Sequence, residues 1–274
     1  MLKQRVLTAS VLAIVFVSIL FYLPWFVFSA AMGVVMLIGA WEWANLSGLS
    51  NFLSRILYVL FIGGAACTCA WLTIWSDDIA SLKALLIAAC IWWAISLLWI
   101  QSFPTSAIIW GSVPARLVMG IFVLIPAWLS HVFLRIEPSG ALLILLVVLL
   151  VAAADIGAYF SGRAIGKRKL APSVSPGKSW EGVLGGAILA LVLAIVFNFF
   201  LGGHAWLSLF LIVIPTSLVS VVGDLLESMV KRHRGVKDSS QLLPGHGGVL
   251  DRIDGLLAAT PVFALAVIST HWQI

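Results

Sequence analysis

Charged residues are scarce in this chain: Asp, Glu, Lys and Arg make up 10% of its 274 residues, whereas 62% are hydrophobic. An ordinary soluble domain is about a quarter charged and about half apolar. The mean hydropathy of +1.13 agrees with this contrast. The shortage of charge therefore excludes a soluble globular domain and indicates a protein that crosses a membrane several times.

Cysteine is equally scarce, and Cys67, Cys69 and Cys90 all lie inside apolar runs. Because neither the ligand spacing nor the neighbouring histidines of a zinc site are present, we expect no disulfide framework and no zinc site. Internal repeats and low-complexity tracts are also lacking. We therefore expect a single transmembrane helical unit over 1–274, with N-terminal spans in 1–139 and with C-terminal spans and cytoplasmic loops in 140–274.

Long apolar runs dominate the rest of the sequence. A helix needs about 20 apolar residues to cross the hydrocarbon core, and such runs lie at 6–24, 25–43, 56–75, 82–100, 117–134, 140–160, 183–201, 206–226 and 255–271. No clear cleavage site follows the first run, so we expect an uncleaved first span. The sequence predicts an all-α, polytopic integral membrane protein with about nine transmembrane helices.

Basic residues favour the cytoplasmic side of a membrane. If the N-terminus is cytoplasmic, only Lys83 and Arg135 of the 16 lysines and arginines fall on the opposite side. This asymmetry predicts a cytoplasmic N-terminus and an external C-terminus. Most of the basic residues of the C-terminal half lie in two cytoplasmic segments, 163–180 and 228–254, where attraction to anionic lipid is the alternative explanation.

One acidic residue lies deep in the sixth apolar run. Asp155 stands eight residues before Arg163, which places it about 12 Å deeper along a helix. An ionised group at such depth costs at least ~2.5 kcal/mol on insertion scales. Asp155 should therefore face the interior of the bundle, either in a functional site or in a structural ion pair.

Two acidic pairs flank the second basic segment. Asp224 and Glu227 end the eighth run, Asp251 and Asp254 begin the ninth, and the i, i+3 spacing puts each pair on one helix face. Carboxylates beside lysines and arginines suit Mg²⁺ and a polyphosphate together, since Mg²⁺ takes one or two carboxylates plus substrate phosphates. The alternative is that these acids form surface salt bridges with nearby lysines and arginines. That alternative accounts for one acidic pair more readily than for both.

Glycines and a histidine lie between these acidic pairs. Gly247 and Gly248 allow backbone N–H groups to approach an anion, and the N-terminus of the ninth helix favours negative charge at the same place. His246 could donate a hydrogen bond to a phosphate or transfer a proton, although a solvated loop histidine is the alternative.

The stretch VSPGKSWEG resembles the end of a phosphate-binding P-loop at Gly177, Lys178 and Ser179. The first glycine of that motif would fall at Pro172, and no strand is expected before it. We therefore exclude a P-loop fold and retain Lys178 as a candidate phosphate contact.

The sequence SMVKRHRGVKDSSQLLPGHGGVLDRID, residues 228–254, matches a family pattern at every constrained position. The pattern is S-x-hydrophobic-K-R-x4-K-D-x-small-x2-hydrophobic-P-x-H-G-G-hydrophobic-x-D-R-hydrophobic-D. DIGAYFSGRAIGK from Asp155 and VSPGKSWEG from Val174 are similar to two further family segments. Over about 155–255 the chain thus resembles the phosphatidate cytidylyltransferases, also called CDP-diacylglycerol synthases.

This resemblance implies that CTP and phosphatidate react to CDP-diacylglycerol and pyrophosphate with Mg²⁺, and it allows a second metal ion. It also implies a homodimer in the bacterial cytoplasmic (inner) membrane, with the active site facing the cytoplasm, membrane lipids as partners and no nucleic acid. The implied catalytic residues are Asp224, Lys237, His246, Asp251, Arg252 and Asp254. The implied substrate-binding residues are Asp155, Lys178, Ser179, Lys231, Arg232, Gly247 and Gly248, and the implied metal ligands are Asp224, Asp251 and Asp254.

Two other functions are compatible with parts of the pattern. A cytidylyltransferase acting on another lipid phosphate would have a similar metal site and a different acyl-chain groove. A transporter or channel would use its intramembrane acids as ion or proton sites, but it predicts acids near the middle of the membrane. Four of the five acids described above lie instead at one boundary beside a basic segment.

Overall fold

The structure is a computed structural model that describes residues 2–200, 206–243, 245, 247–270 and 272, with side chains from Thr8 onward. Within these residues the chain forms α-helices and one short hairpin. The helices are α1 (Leu2–Tyr22), α2 (Trp25–Ser47), α3 (Phe52–Ala70, continued by a π-helical turn, Trp71–Trp75), α4 (Ile79–Gln101), α5 (Ala107–Trp110), α6 (Val113–Ile136), α7 (Gly140–Ile165), α8 (Trp180–Phe200), α9 (Trp206–His233) and α10 (Leu250–Thr270). The strands are β1 (Lys169–Ala171) and β2 (Ser175–Ser179).

Eight helices of the described chain are long and apolar enough to cross a membrane: α2, α3 with its π-helical turn, α4, and α6 to α10. The first predicted run falls on α1, whose shorter apolar stretch is Thr8–Tyr22. The predicted all-α, polytopic membrane fold is therefore confirmed. A tight turn separates α1 from α2. Pro24 is extended and immediately precedes α2, a position where its missing N–H costs no helical hydrogen bond.

Helix α9 extends past the predicted end of its span at residue 226, as far as His233. Lys231 and Arg232 therefore lie on a helix and not in a loop. Lys231 Nζ lies 3.2 Å from Glu227 Oε1 one turn earlier, and such an i, i+4 pair stabilises a continuing helix. The chain leaves the helix at Gly235, which has φ +67°.

The hairpin between α7 and α8 was not predicted. Strands β1 and β2 pair antiparallel, with Lys169 opposite Ser179 and Ala171 opposite Ser175. The expectation that no strand precedes Pro172 is therefore wrong. A P-loop remains excluded, because β1 pairs only within this hairpin in the described chain and Pro172 occupies the position that the motif requires to be glycine.

Two helix crossings depend on glycine. A Cβ at Gly157 of α7 would lie 2.7 Å from the carbonyl oxygen of Gly185 and 2.9 Å from Gly186 Cα of α8. A Cβ at Gly223 of α9 would overlap the carbonyl oxygen of Asp254 in α10. Small residues let membrane helices approach closely, and the second crossing places Asp224 beside Asp254.

Buried apolar side chains form two clusters along the bundle. The cluster around Trp43, Met119 and Leu250 lies at the end of α9 and α10 that carries the acidic residues. The other cluster, around Ile144 and Phe263, fills the opposite end. The acidic ends of the helices are thus supported from within by a packed apolar core.

We predict that Gly157→Ala lowers the free energy of unfolding by about 1–3 kcal/mol, because the added methyl group meets backbone atoms of α8 that can move only with the helix. Gly64→Ala is the matched control, since nothing lies within 4 Å of a Cβ at Gly64 on α3. The control should be neutral, or stabilising by up to about 1 kcal/mol through helix propensity. Thermal unfolding in detergent compares the two variants, and equal losses would contradict the close crossing.

Candidate active site

The ends of α9 and α10 enclose a polar cavity of about 410 Å³. The residues that line it are Asp155, Asp224, Ser228, Lys231, Arg232, Lys237, Asp238, Asp251, Arg252 and Asp254. The structure therefore brings most of the predicted site residues together. Three of the lining cations, Arg232, Lys237 and Arg252, are exposed. A bond from Arg232 Nε to the carbonyl oxygen of Val174, at 3.3 Å, joins α9 to the hairpin.

Asp224 and Asp254 come from the two helices that cross at Gly223. Asp224 Oδ2 lies 2.5 Å from Lys178 Nζ of β2, and Asp224 Oδ1 accepts a hydrogen bond from Ser228 at 3.3 Å. Asp254 Oδ1 accepts from the N–H of Gly255 at 2.7 Å. Lys178 thus binds the carboxylate of Asp224 in this structure. To contact a phosphate as predicted, the Lys178 ammonium would have to bind the phosphate and Asp224 together.

Asp251 is held from several directions. Its Oδ1 lies 2.6 Å from Lys231 Nζ, and its Oδ2 accepts from the N–H and Oγ of Ser239, both at 2.9 Å, and from the N–H of Gly248 at 2.7 Å. Lys231 and Gly248 were predicted to bind substrate phosphate. In the structure, both are engaged with Asp251 instead, because a carboxylate this deeply buried needs partners.

Glu227 does not share the cavity with Asp224, although their spacing predicts a common helix face. Glu227 is 3% exposed and lines a small internal cavity of about 10 Å³ with Trp93 and Asp254. Residues three apart on a helix differ in direction by about 60°. Asp224 therefore lines the polar cavity, whereas Glu227 lines the small one.

The glycine-rich loop turns tightly against Asp251. Gly245 and Gly247 have φ angles of +75° and +83°, in the left-handed region that favours glycine. A Cβ at Gly247 would lie 2.7 Å from Asp251 Oδ2, so a side chain there would displace the carboxylate. His246 lies outside the described residues, and its role stays a prediction.

A second cavity, of about 480 Å³, adjoins the first and shares Asp155 and Asp224 with it. It lies between α7, the hairpin, α8 and α9, and Arg163 and Lys178 also line it. Ser179, predicted to bind substrate, is 4% exposed and accepts a hydrogen bond from the N–H of Gly182 at 3.2 Å. That bond is typical of a helix N-cap, so Ser179 begins α8 and stands at the wall of this cavity.

One buried acid that bonds to the segment around Asp251 was missed from the sequence. Glu42 of α2 is 2% exposed, and its carboxylate accepts four hydrogen bonds, from Ser239, Ser240, Val249 and Leu250. The sequence does contain a sign of it, because Glu42, like Asp155, is an acidic residue inside an apolar run. The depth argument applied to Asp155 would have singled it out.

The chemistry of the cavity fits a hard divalent cation in part. Carboxylates are the ligands that Mg²⁺ prefers, and one or two suffice when substrate phosphates complete the shell. Asp224 and Asp254 line the cavity and meet this need. Among the described residues, however, no three acidic, histidine or cysteine side chains are already arranged as a metal site, in keeping with the engagement of Asp251 by Lys231 and the loop.

The fold and the cavity define an integral membrane protein with a polar cavity, lined by acidic and basic side chains, at one end of its helical bundle. The sequence model of the Cytidylyltransferase family matches residues 3–270, and the chain belongs to this family. It is 46% identical over 283 residues to a protein of Haemophilus influenzae, covering 96% of this chain and 98% of the relative. It is 45% identical over 276 residues to a protein of Pseudomonas aeruginosa, covering 99% of each, and 33% identical over 276 residues to one of Bacillus subtilis, covering 98% and 99%. All three relatives carry the name phosphatidate cytidylyltransferase.

We predict that Lys231→Met destabilises the folded protein by about 3–5 kcal/mol, because it leaves the buried carboxylates of Glu227 and Asp251 without their shared cation. The matched control is Lys83→Met, since Lys83 is exposed near the start of α4 and should change stability by no more than about 0.5 kcal/mol. Thermal unfolding without substrate measures both. A loss no larger for Lys231→Met than for the control would mean that this ion pair does not stabilise the fold.

Proposed function

We propose that this protein is a phosphatidate cytidylyltransferase, which transfers the CMP moiety of CTP to phosphatidate and releases pyrophosphate. The observation that carries the proposal is the pair of adjoining cavities, which share Asp155 and Asp224. A reaction between a water-borne nucleotide and a membrane lipid needs two such compartments that meet at the reacting phosphates. The names of the relatives, which match nearly the whole chain, support these substrates.

The first cavity would take the triphosphate of CTP. Arg232, Lys237 and Arg252 line it and are exposed, so their charges are available to phosphate oxygens. Arginine can bind a phosphate through two parallel hydrogen bonds. These cations would offset the negative charge of the triphosphate in a cavity that carboxylates also line.

The second cavity would take the headgroup of phosphatidate. Val183 and Val221 give its wall an apolar part, while Arg163 and Lys178 supply positive charge. Arg163 donates to the hydroxyl of Tyr159 at 3.1 Å, and Tyr159 is exposed on α7. An amphipathic wall of this kind suits a lipid phosphate whose acyl chains remain in the membrane.

Asp224, Asp251 and Asp254 are the residues that we expect to hold Mg²⁺, and a second metal ion is compatible with the number of carboxylates. Mg²⁺ bound there would neutralise charge on the reacting phosphates and on the departing pyrophosphate. Asp251 would act from a fixed position, since Lys231, Ser239 and Gly248 already orient it.

In the reaction, a phosphate oxygen of phosphatidate attacks the α-phosphorus of CTP, and the bond from that phosphorus to the pyrophosphate oxygen breaks. The attacking phosphate is largely ionised at neutral pH, as phosphate monoesters have a second pKa of about 6. A strong general base is therefore unnecessary. The protein contributes by positioning both substrates and stabilising the developing charge.

The relatives and the distribution of basic residues also support a location. We propose that the protein lies in a bacterial inner membrane with both cavities open to the cytoplasm, because the segments 163–180 and 228–254 that surround them are rich in lysine and arginine. We further propose a homodimer, as the family resemblance implies. Cross-linking in native membranes would test it.

We predict that the purified protein incorporates radiolabelled CTP into a lipid-extractable product only when phosphatidate and Mg²⁺ are both present. Omission of either component is the internal control. Label that appears with a different lipid phosphate but not with phosphatidate would assign another lipid substrate. No label with any lipid phosphate would contradict the proposal and favour a transporter.

We predict that Asp254→Asn lowers kcat by at least about a hundredfold, because it removes the negative charge of a residue that we expect to hold Mg²⁺ beside the reacting phosphates. Asp77→Asn is the matched control. Asp77 is exposed between α3 and α4 and has φ +56°, a conformation that asparagine accepts readily. The control should retain full activity, and near-normal activity of folded Asp254→Asn protein would remove Asp254 from the catalytic residues.

A further inference from the structure

Glu42 is a buried carboxylate that lines neither of the two cavities. It lies on α2 near its C-terminal end, and only 2% of its surface is exposed. A buried charge is tolerated only when it is paired or fully hydrogen-bonded. Glu42 has no salt bridge among the described residues, and all four of its hydrogen bonds come from the segment 239–250.

The two carboxylate oxygens divide these donors evenly. Glu42 Oε1 accepts from Ser240 Oγ at 2.6 Å and from the N–H of Val249 at 3.0 Å. Glu42 Oε2 accepts from Ser239 Oγ at 3.1 Å and from the N–H of Leu250 at 2.8 Å. Each oxygen therefore joins one hydroxyl at the start of the segment to one backbone N–H at its end.

The backbone donors of this set belong to the start of α10. The first N–H groups of a helix have no partner within the helix, and negative charge near a helix N-terminus is stabilising. A side chain of the same segment usually meets this need. Here, Glu42 does so from a helix more than 200 residues earlier in the sequence, at a separation of 208 positions from Leu250.

Ser239 connects Glu42 to Asp251. The Ser239 hydroxyl has one proton and lies between the two carboxylates, 3.1 Å from Glu42 Oε2 and 2.9 Å from Asp251 Oδ2, so the two carboxylates share this donor. The N–H of Ser239 also donates to Asp251 Oδ2, at 2.9 Å. Glu42 thus fixes both the serine that binds Asp251 and the first turn of the helix that carries it.

We propose that Glu42 is a positioning residue of the transferase site, which sets the orientation of Asp251 through Ser239 and the N-terminus of α10. The expected change in kcat rests on the proposed function. The expected change in local structure rests on the hydrogen bonds alone. It assigns α2, a helix from the N-terminal half of the chain, to the active site.

Glu42→Gln is the decisive substitution, because it preserves shape and removes one acceptor. In either orientation, the amide NH₂ faces the N–H of Val249 or of Leu250, and two donors cannot bond to each other. We expect kcat per folded molecule to fall about ten- to a hundredfold, as small displacements of catalytic groups do. The KM for CTP should change by less than about threefold, since the exposed cations of the first cavity are untouched.

Two serine variants provide matched controls. Ser239→Ala removes the hydroxyl shared with Asp251, whereas Ser240→Ala removes a hydroxyl that bonds to Glu42 and has no bond to Asp251 in the described structure. We expect Ser239→Ala to lower kcat and Ser240→Ala to keep kcat within about twofold of the unchanged protein. The double variant Glu42→Gln, Ser239→Ala should lose little more than Glu42→Gln alone, because both act on one pathway.

Three results would overturn the proposal. Glu42→Gln with a lowered melting temperature and an unchanged kcat would make Glu42 only structural. Equal kcat losses in Ser239→Ala and Ser240→Ala, or additive losses in the double variant, would exclude action through Ser239. If Glu42→Gln does not fold, Glu42→Asp and Ser239→Ala carry the same comparison.

Hydrogen exchange separates this inference from the proposed function. In Glu42→Gln, we expect amide exchange of the 247–251 segment to accelerate at least about tenfold without substrate, while α8 stays unchanged. An unchanged exchange rate would overturn the positioning role even if the protein proved to have no transferase activity. Absence of label transfer by the unsubstituted protein, with faster exchange in the variant, would contradict the proposed function alone.

Discussion

The carboxylate of Asp251 joins three parts of the chain, and the rest of the site depends on its hydrogen bonds. Lys231 reaches it from α9, Ser239 from the start of the loop and Gly248 from the end of the loop. Because a charge removed from water must be compensated by partners nearby, the loop has to fold tightly over this group. The left-handed glycines and the contact with Glu42 both follow from that constraint.

The charged residues of the site separate into two classes by burial. Lys178 and Lys231 are engaged with carboxylates and help to build the site. Arg232, Lys237 and Arg252 are exposed on the cavity wall, where their charges can meet a substrate. The division has a physical reason, since a buried cation is costly unless paired, whereas an exposed one keeps its hydration until a phosphate replaces it.

Close helix contacts at glycines explain where the cavities lie. At Gly223 the helices α9 and α10 approach closely, and at Gly157 the helices α7 and α8 do. Asp224 directly follows Gly223, and Asp155 lies two positions before Gly157; both acids line the two cavities. A packed apolar bundle thus carries two adjoining cavities at one end, the arrangement on which the proposed transfer between a nucleotide and a lipid headgroup rests.

The sequence by itself determined the polytopic membrane fold and the family to which the chain belongs. The length of a hydrophobic run reflects a local property, the free energy of transferring a helix into lipid. The 228–254 motif is also local, because its residues lie close together in the chain. Tertiary structure decided which charges are free and which are paired. Lys231, Gly248 and Ser179 look available in the sequence, yet each bonds to the protein itself. Glu42 lies 197 positions from Ser239, and no local spacing reports a contact that exists only because α2 packs against the start of α10.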